Sequence, residues 1–141
     1  MPAIQRTATG TWSGDLKSGK GSIDATSGVL SATPFTFATR FENAKGTNPE
    51  ELIAAAHAAC YSMAFSNHLS QNGHVPESIQ TKATISLEDG KINKMHLEAR
   101  GRVDGLDNAA FKRLAEEAEK NCPVSNLLRN GLTITLDAAL L

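Results

Sequence analysis

Two cysteines, Cys60 and Cys122, stand 62 residues apart in this chain, and a thiol has more chemistry open to it than any other side chain present. Deprotonated, it is a nucleophile; it can also ligate a metal or carry an oxidised sulfur. Two thiols cannot complete a zinc tetrad, and His57, His68, His74 and His96 stand at no spacing from them that would, so no metal site is expected. Cys60 ends the apolar run LIAAAHAAC. Burial there without a cation raises a thiol's pKa and leaves an inert, small hydrophobe. Cys122 precedes Pro123 and is therefore placed to cap a new helix, whose dipole and free N–H groups would favour a thiolate. A nucleophile with a resolving partner and a pair of packing residues both fit this pattern, and the two cysteines alone leave both readings open.

The neighbouring polar residues add little by themselves. His57 precedes Cys60 by three positions and could share its face, but a lone histidine in an alanine-rich helix is more often hydrogen-bonded structure. Glu50 and Glu51 suit the first turn of a helix, and Arg40 reads as a solvated strand residue beside Glu42. There is no glycine-rich phosphate loop and no serine-centred elbow, and no cofactor is expected.

The element that must position Cys60 is a helix between Thr47 and Gly73. Asn48 is a favoured N-cap, Pro49 suits the first turn where its missing N–H is no loss, and Gly73 supplies the stop. From Leu52 to Ala59 every residue but His57 is apolar, five of them alanines, so the helix is expected in a core with another backbone close by.

Before it, Ala3–Trp12 and Phe35–Phe41 alternate as strands, the latter with Phe35, Phe37 and Phe41 on one face and Arg40 on the other, and Ser22–Leu30 is a weaker strand. After it, Ile79–Glu88 alternates up to Asp89-Gly90, a strong hairpin signal, and the return strand buries Met95, Leu97, Ala99 and Val103. From Asp107 the period turns helical, with Phe111, Leu114, Ala115 and Ala118 on one stripe and a Glu116–Lys120 pair. Pro123 ends that helix and opens a short one over Val124–Arg129, and Leu132–Leu140 is a final strand. The order predicts an α+β fold with antiparallel sheet in a single domain over residues 1–141. Two substantial helices are little cover for about six strands, so a shared core in a homodimer is expected.

At 141 residues the chain is long enough to bury roughly 70% of its unfolded surface without staples. A net charge of -1, with no basic run, argues against a nucleic-acid partner. No segment has the length and apolarity of a membrane span or the pattern of a signal peptide, so the cytoplasm is the expected compartment.

The run NPEELIAAAHAACYSMA from Asn48 to Ala64, with Arg40 upstream and NCPVSN from Asn121 to Asn126 downstream, resembles the OsmC/Ohr family of thiol-dependent peroxidases, and the OsmC branch more than the organic hydroperoxide resistance branch. The resemblance implies an intertwined homodimer, with antiparallel sheets wrapped around paired central helices, that reduces organic hydroperoxides, including lipid-derived ones. Matched by motif, Cys60 would be the peroxidatic thiol, Cys122 the resolving one, and Arg40 with Glu50 the activating pair. His57 and Glu51 are not carried over. An external dithiol, a small molecule or a lipoylated protein, would recycle the disulfide.

Overall fold

A computed structural model describes residues 1–141 and contains six strands and four helices. The chain divides into two compact units, Met1–Glu51 and Leu52–Leu141.

In the first unit, β1 (Ala8–Ser13), β2 (Lys20–Ala25) and β3 (Thr33–Phe35) form an antiparallel sheet in the order β1-β2-β3. The strand expected from Ala3 begins only at Ala8, where the last residue of β2, Ala25, stands opposite it. Trp12 and Phe35 flank Gly21 in register and stack at 5.5 Å. A Cβ on Gly21 would lie 2.5 Å from the Phe35 ring, so only glycine permits this pair to close over the backbone.

The strand expected over Phe35–Phe41 is replaced after Phe35 by a one-turn helix, α1 (Phe37–Phe41). The reason is local. Thr36 caps it through a reciprocal capping box with Thr39, and the four-residue spacing of Phe37 and Phe41 stacks their rings at 4.9 Å on one helical face. No apolar side chain in this unit is fully buried, and β1 is exposed at every residue.

The helix α2 (Pro49–Gln71) starts as its sequence demands, with the Glu51 N–H donating to Asn48 Oδ1 at 2.8 Å. It ends in a Schellman motif, in which the His74 N–H reaches the Leu69 carbonyl at 2.9 Å and the Gly73 N–H the Ser70 carbonyl at 3.0 Å, with Gly73 at φ +86°. Within the chain α2 is not buried all round, as its composition led us to expect. His57, Tyr61, Phe65 and Leu69 form one buried row at four-residue spacing, while Ala55, Ala56, Ala59 and Met63 face outward.

In the second unit, β4 (Ser78–Glu88) and β5 (Lys91–Arg102) form the expected hairpin, with Asp89 at φ +51° and Gly90 at φ +76° making its turn. The helix α3 (Asn108–Asn121), capped by Asp107, buries Phe111, Leu114, Ala115 and Ala118 as its periodicity requires. Its i,i+4 ion pair is Arg113–Glu117 rather than Glu116–Lys120. A short α4 (Pro123–Leu128) follows, and then β6 (Thr133–Leu140). This last strand pairs parallel to β5, so the second sheet, β4-β5-β6, is mixed rather than antiparallel. The helical crossover α3-α4 returns the chain to the start of β5, the connection a parallel pair needs. Met95, Leu97 and Ala99 from β5 meet Tyr61, Phe65 and Phe111 in one core, where the Phe65 and Phe111 rings lie 4.8 Å apart. No helix is long and apolar enough to cross a membrane.

Candidate active site

Both cysteines are free, and α2 and α4 bring them together. Cys60 lies mid-helix on α2, and Cys122 is the extended residue (φ -74°, ψ 119°) between α3 and α4, where Pro123 forbids α3 from continuing. Their Sγ atoms are 3.5 Å apart. A disulfide needs about 2.05 Å, so a closure of about 1.5 Å would join them. Solvent distinguishes the two: Cys60 is partly exposed, Cys122 fully buried.

The electrostatics differ from the sequence expectation. Cys122 occupies the N-cap of α4 but makes no side-chain cap bond. The Val124 N–H in the first turn of α4 is directed at Cys60 instead, and it draws the pKa of that thiol down. Burial outweighs this, and with the neighbouring Cys122 sulfur it leaves Cys60 above the ordinary thiol value. A thiol shifted this way needs a cation before it becomes a good nucleophile.

Arg40 and Glu50 form the second pairing, within the first unit. Arg40 Nε donates to Glu50 Oε1 at 2.9 Å. The sequence reading of Arg40 as a strand residue beside Glu42 is thereby corrected: α1 turns its side chain toward the first turn of α2. Glu50 is the one buried residue of its unit, and its Oε2 has no partner in the chain. The Arg40 guanidinium also lies 5.1 Å from the centre of the Phe41 ring. It borders a cavity of about 270 Å³ whose apolar wall includes Trp12, Leu16, Phe35, Phe37 and Phe41.

Ser125, Glu119 and Arg129, which sequence reasoning passed over, lie near Cys122 together with His57, which it read as hydrogen-bonded structure. His57 Nε2 and Ser125 Oγ form a buried hydrogen bond of 2.6 Å, and His57 Nδ1 has no partner. Burial, the largest influence, lowers the His57 pKa; the Glu119 carboxylate opposes this and Arg129 adds to it. Arg129 clasps the Glu119 carboxylate with two bonds of 2.8 and 3.1 Å and reaches Asn126 Oδ1 at 3.1 Å. Tyr61 donates from its hydroxyl to the Ala115 carbonyl at 2.8 Å, fastening α2 to α3. The Glu119–Arg129 spacing of ten residues matches that of Arg40–Glu50, yet no periodicity rule connects such positions, which only the turn at Cys122 brings together. No cluster of histidine, cysteine or acidic side chains could hold a metal ion.

Comparison with known proteins agrees with the resemblance. Residues 42–137 match the family model of OsmC-like proteins, a span that holds Glu50, Cys60 and Cys122. The chain is 44% identical to the peroxiredoxin OsmC of Escherichia coli over 93% of its own length and 94% of the relative's. It is 35% identical to an organic hydroperoxide resistance protein of Xanthomonas axonopodis pv. citri over 67% and 68% of the two lengths. Among solved structures, the organic hydroperoxide resistance protein OhrB of Bacillus subtilis superposes with a TM-score of 0.69 at 26% identity, covering 94% of this chain and 97% of that one. Sequence, fold and paired thiols thus lead to one assignment: the chain belongs to the OsmC-like protein family.

Proposed function

We propose that this protein is a thiol-dependent peroxidase that reduces organic hydroperoxides to alcohols, with Cys60 as the attacking thiol and Cys122 as the resolving one. The observation that carries the reading is the thiol pair itself: two free sulfurs 3.5 Å apart, of which solvent reaches only Cys60. The names of the relatives, a peroxiredoxin and hydroperoxide resistance proteins, support the same chemistry.

In this mechanism the Cys60 thiolate attacks the terminal oxygen of the hydroperoxide, the O–O bond breaks, and the alkoxide leaves as an alcohol after taking a proton. Cys60 becomes a sulfenic acid. The Cys122 sulfur then forms the S–S bond while the S–O bond breaks and water departs. A dithiol reductant returns both thiols, a cycle that suits a reducing, cytoplasmic setting.

Activation falls to Arg40. Its guanidinium keeps a free edge after binding Glu50 through Nε, enough to hold a thiolate and polarise peroxide oxygens. The cation lies against an aromatic wall, a surface suited to a substrate with an apolar body and a polar –OOH end. Glu50 and Cys60 are ten residues apart on one helix, about 15 Å along its axis, so an Arg40 held by Glu50 most simply serves the thiol of a second subunit. A homodimer of one-domain subunits is therefore part of this proposal. It is supported by the outward Ala55, Ala56, Ala59 and Met63 of α2 and by a first unit with no buried apolar side chain of its own.

The test is consumption of cumene hydroperoxide against hydrogen peroxide, with a dithiol and a monothiol reductant in parallel. The organic peroxide and the dithiol should be preferred. Equal rate constants for the two peroxides would remove the role of the apolar wall, and no consumption of either would remove the function.

A further inference from the structure

The hydrogen bond between His57 and Ser125 is used by no step of the peroxidase chemistry, yet its position is informative. His57 lies three residues before Cys60 on α2, and Ser125 three residues after Cys122 on α4. The bond therefore ties the two thiol-bearing elements together at equal sequence distance from both sulfurs. Each side chain is fully buried, so water does not compete for the bond, and removing either partner strands the other.

The helix α4 needs such a tether. Six residues are too few to hold a helix by propensity, and Cys122 precedes it in extended conformation with no cap bond of its own. From the other side, Arg129 binds Glu119 and Asn126 and so fixes the far end of α4 to α3. Beside the Val124 N–H directed at Cys60 itself, His57–Ser125 is the side-chain hydrogen bond between α4 and the helix that carries Cys60. Burial lowers the His57 pKa and so favours the neutral ring in this bond.

We propose that His57 and Ser125 are positioning residues for disulfide closure, holding Cys122 Sγ beside Cys60 so that a sulfenic acid is captured before a second peroxide reaches it. The step concerned is the attack of the Cys122 sulfur on the Cys60 sulfenic sulfur, with the S–O bond breaking and the thiol proton leaving with hydroxide as water. No added oxidant or reductant enters it. This inference rests on the peroxidase reading above.

The competing account is that the bond only stabilises the fold, and the experiment separates the two. Full-length wild type, Ser125→Ala, His57→Leu, His57→Gln and the core variant Leu114→Val are reduced, mixed with graded excesses of cumene hydroperoxide, quenched, and analysed by mass spectrometry for Cys60–Cys122 disulfide against Cys60 sulfinic acid. Melting temperatures are measured alongside. A displaced resolving group slows closure relative to attack by about tenfold, so Ser125→Ala and His57→Leu should accumulate sulfinic acid at about tenfold lower peroxide. His57→Gln, whose amide can still reach Ser125, should recover most of the wild-type partition, and Leu114→Val should melt lower yet partition as wild type. If Ser125→Ala does not fold, the comparison of His57→Leu with His57→Gln reads the same effect. Unchanged partition in Ser125→Ala and His57→Leu, or an equal shift in Leu114→Val, overturns the inference alone. A wild-type chain that forms no Cys60–Cys122 disulfide overturns the peroxidase reading and the inference with it.

Discussion

Exposure and charge assign different work to the two thiols. Cys60 is reachable and carries a burial-raised pKa, so in the proposed cycle it needs a cation to attack; Cys122 is sealed and, as the proposed resolving thiol, would act only on a neighbour 3.5 Å away. Cys60→Ser should therefore abolish peroxide consumption while leaving the circular dichroism spectrum unchanged, and wild-type turnover in that variant would refute the assignment. Cys122→Ser should react once and then show oxygen addition on Cys60, where the wild type loses two hydrogens. Arg40→Ala should expose the thiol's own titration: its reaction rate should climb about tenfold per pH unit through neutrality, because the thiolate fraction does so below the pKa. The wild-type profile should be flatter, and parallel profiles would free Arg40 from the activating role. His57 gives a stability prediction with its sign fixed. Its folded pKa lies below the ordinary 6.5, so near that value the unfolded chain binds more protons, and stability present above pH 6.5 is lost as pH falls below it. The facing charges, Glu119 and Arg129, partly oppose and partly add to the shift. Urea midpoints of wild type should fall between about pH 7.5 and 5.5 by more than those of His57→Gln.

At the scale of elements, legibility follows how local the determinants are. The ends of α2, the stripe of α3 and the Asp89-Gly90 turn were readable because a cap, a period or a left-handed glycine decides each within a few residues. Phe37 and Phe41 were misread because a spacing of four satisfies a strand face and a helical turn alike, and the capping box of two threonines settled the matter. The parallel pairing of β6 depends on where a helical crossover delivers the chain, and the Glu119–Arg129 clasp on how the chain turns at Cys122; neither is a property of a short window. Thr36→Ala should cost about 1 kcal/mol and, by loosening α1 beneath Arg40, lower kcat/KM more than it lowers the melting temperature of the whole. Gly73→Ala, at φ +86°, should cost about 1 kcal/mol with no effect on turnover. Chemical denaturation and steady-state kinetics on the same preparations check both, and a Thr36→Ala enzyme of unchanged kcat/KM would detach α1 from the active site.

At the scale of the whole molecule, the family and the thiol pair were legible from motifs, whereas the proposed homodimer rests in the sequence on the resemblance and on the shortage of helix against strand. The outward apolar residues of α2 and the bare first unit make the same case in atomic terms. If Arg40 and Glu50 serve the partner's thiol, mixing Cys60→Ser with Arg40→Ala protein under subunit exchange should restore one of the two sites in each heterodimer, since one site then carries both lesions and the other neither. No recovery despite demonstrated exchange would put Arg40 in the same subunit as its thiol. The central claim, that one hydroperoxide is reduced at Cys60 and closed off by Cys122, is tested most directly by a single turnover. Reduced protein is mixed with one equivalent of cumene hydroperoxide, and alcohol and thiols are counted together. One cumyl alcohol and one Cys60–Cys122 disulfide per chain are predicted; alcohol released with both thiols intact, or still released by Cys60→Ser, would contradict it.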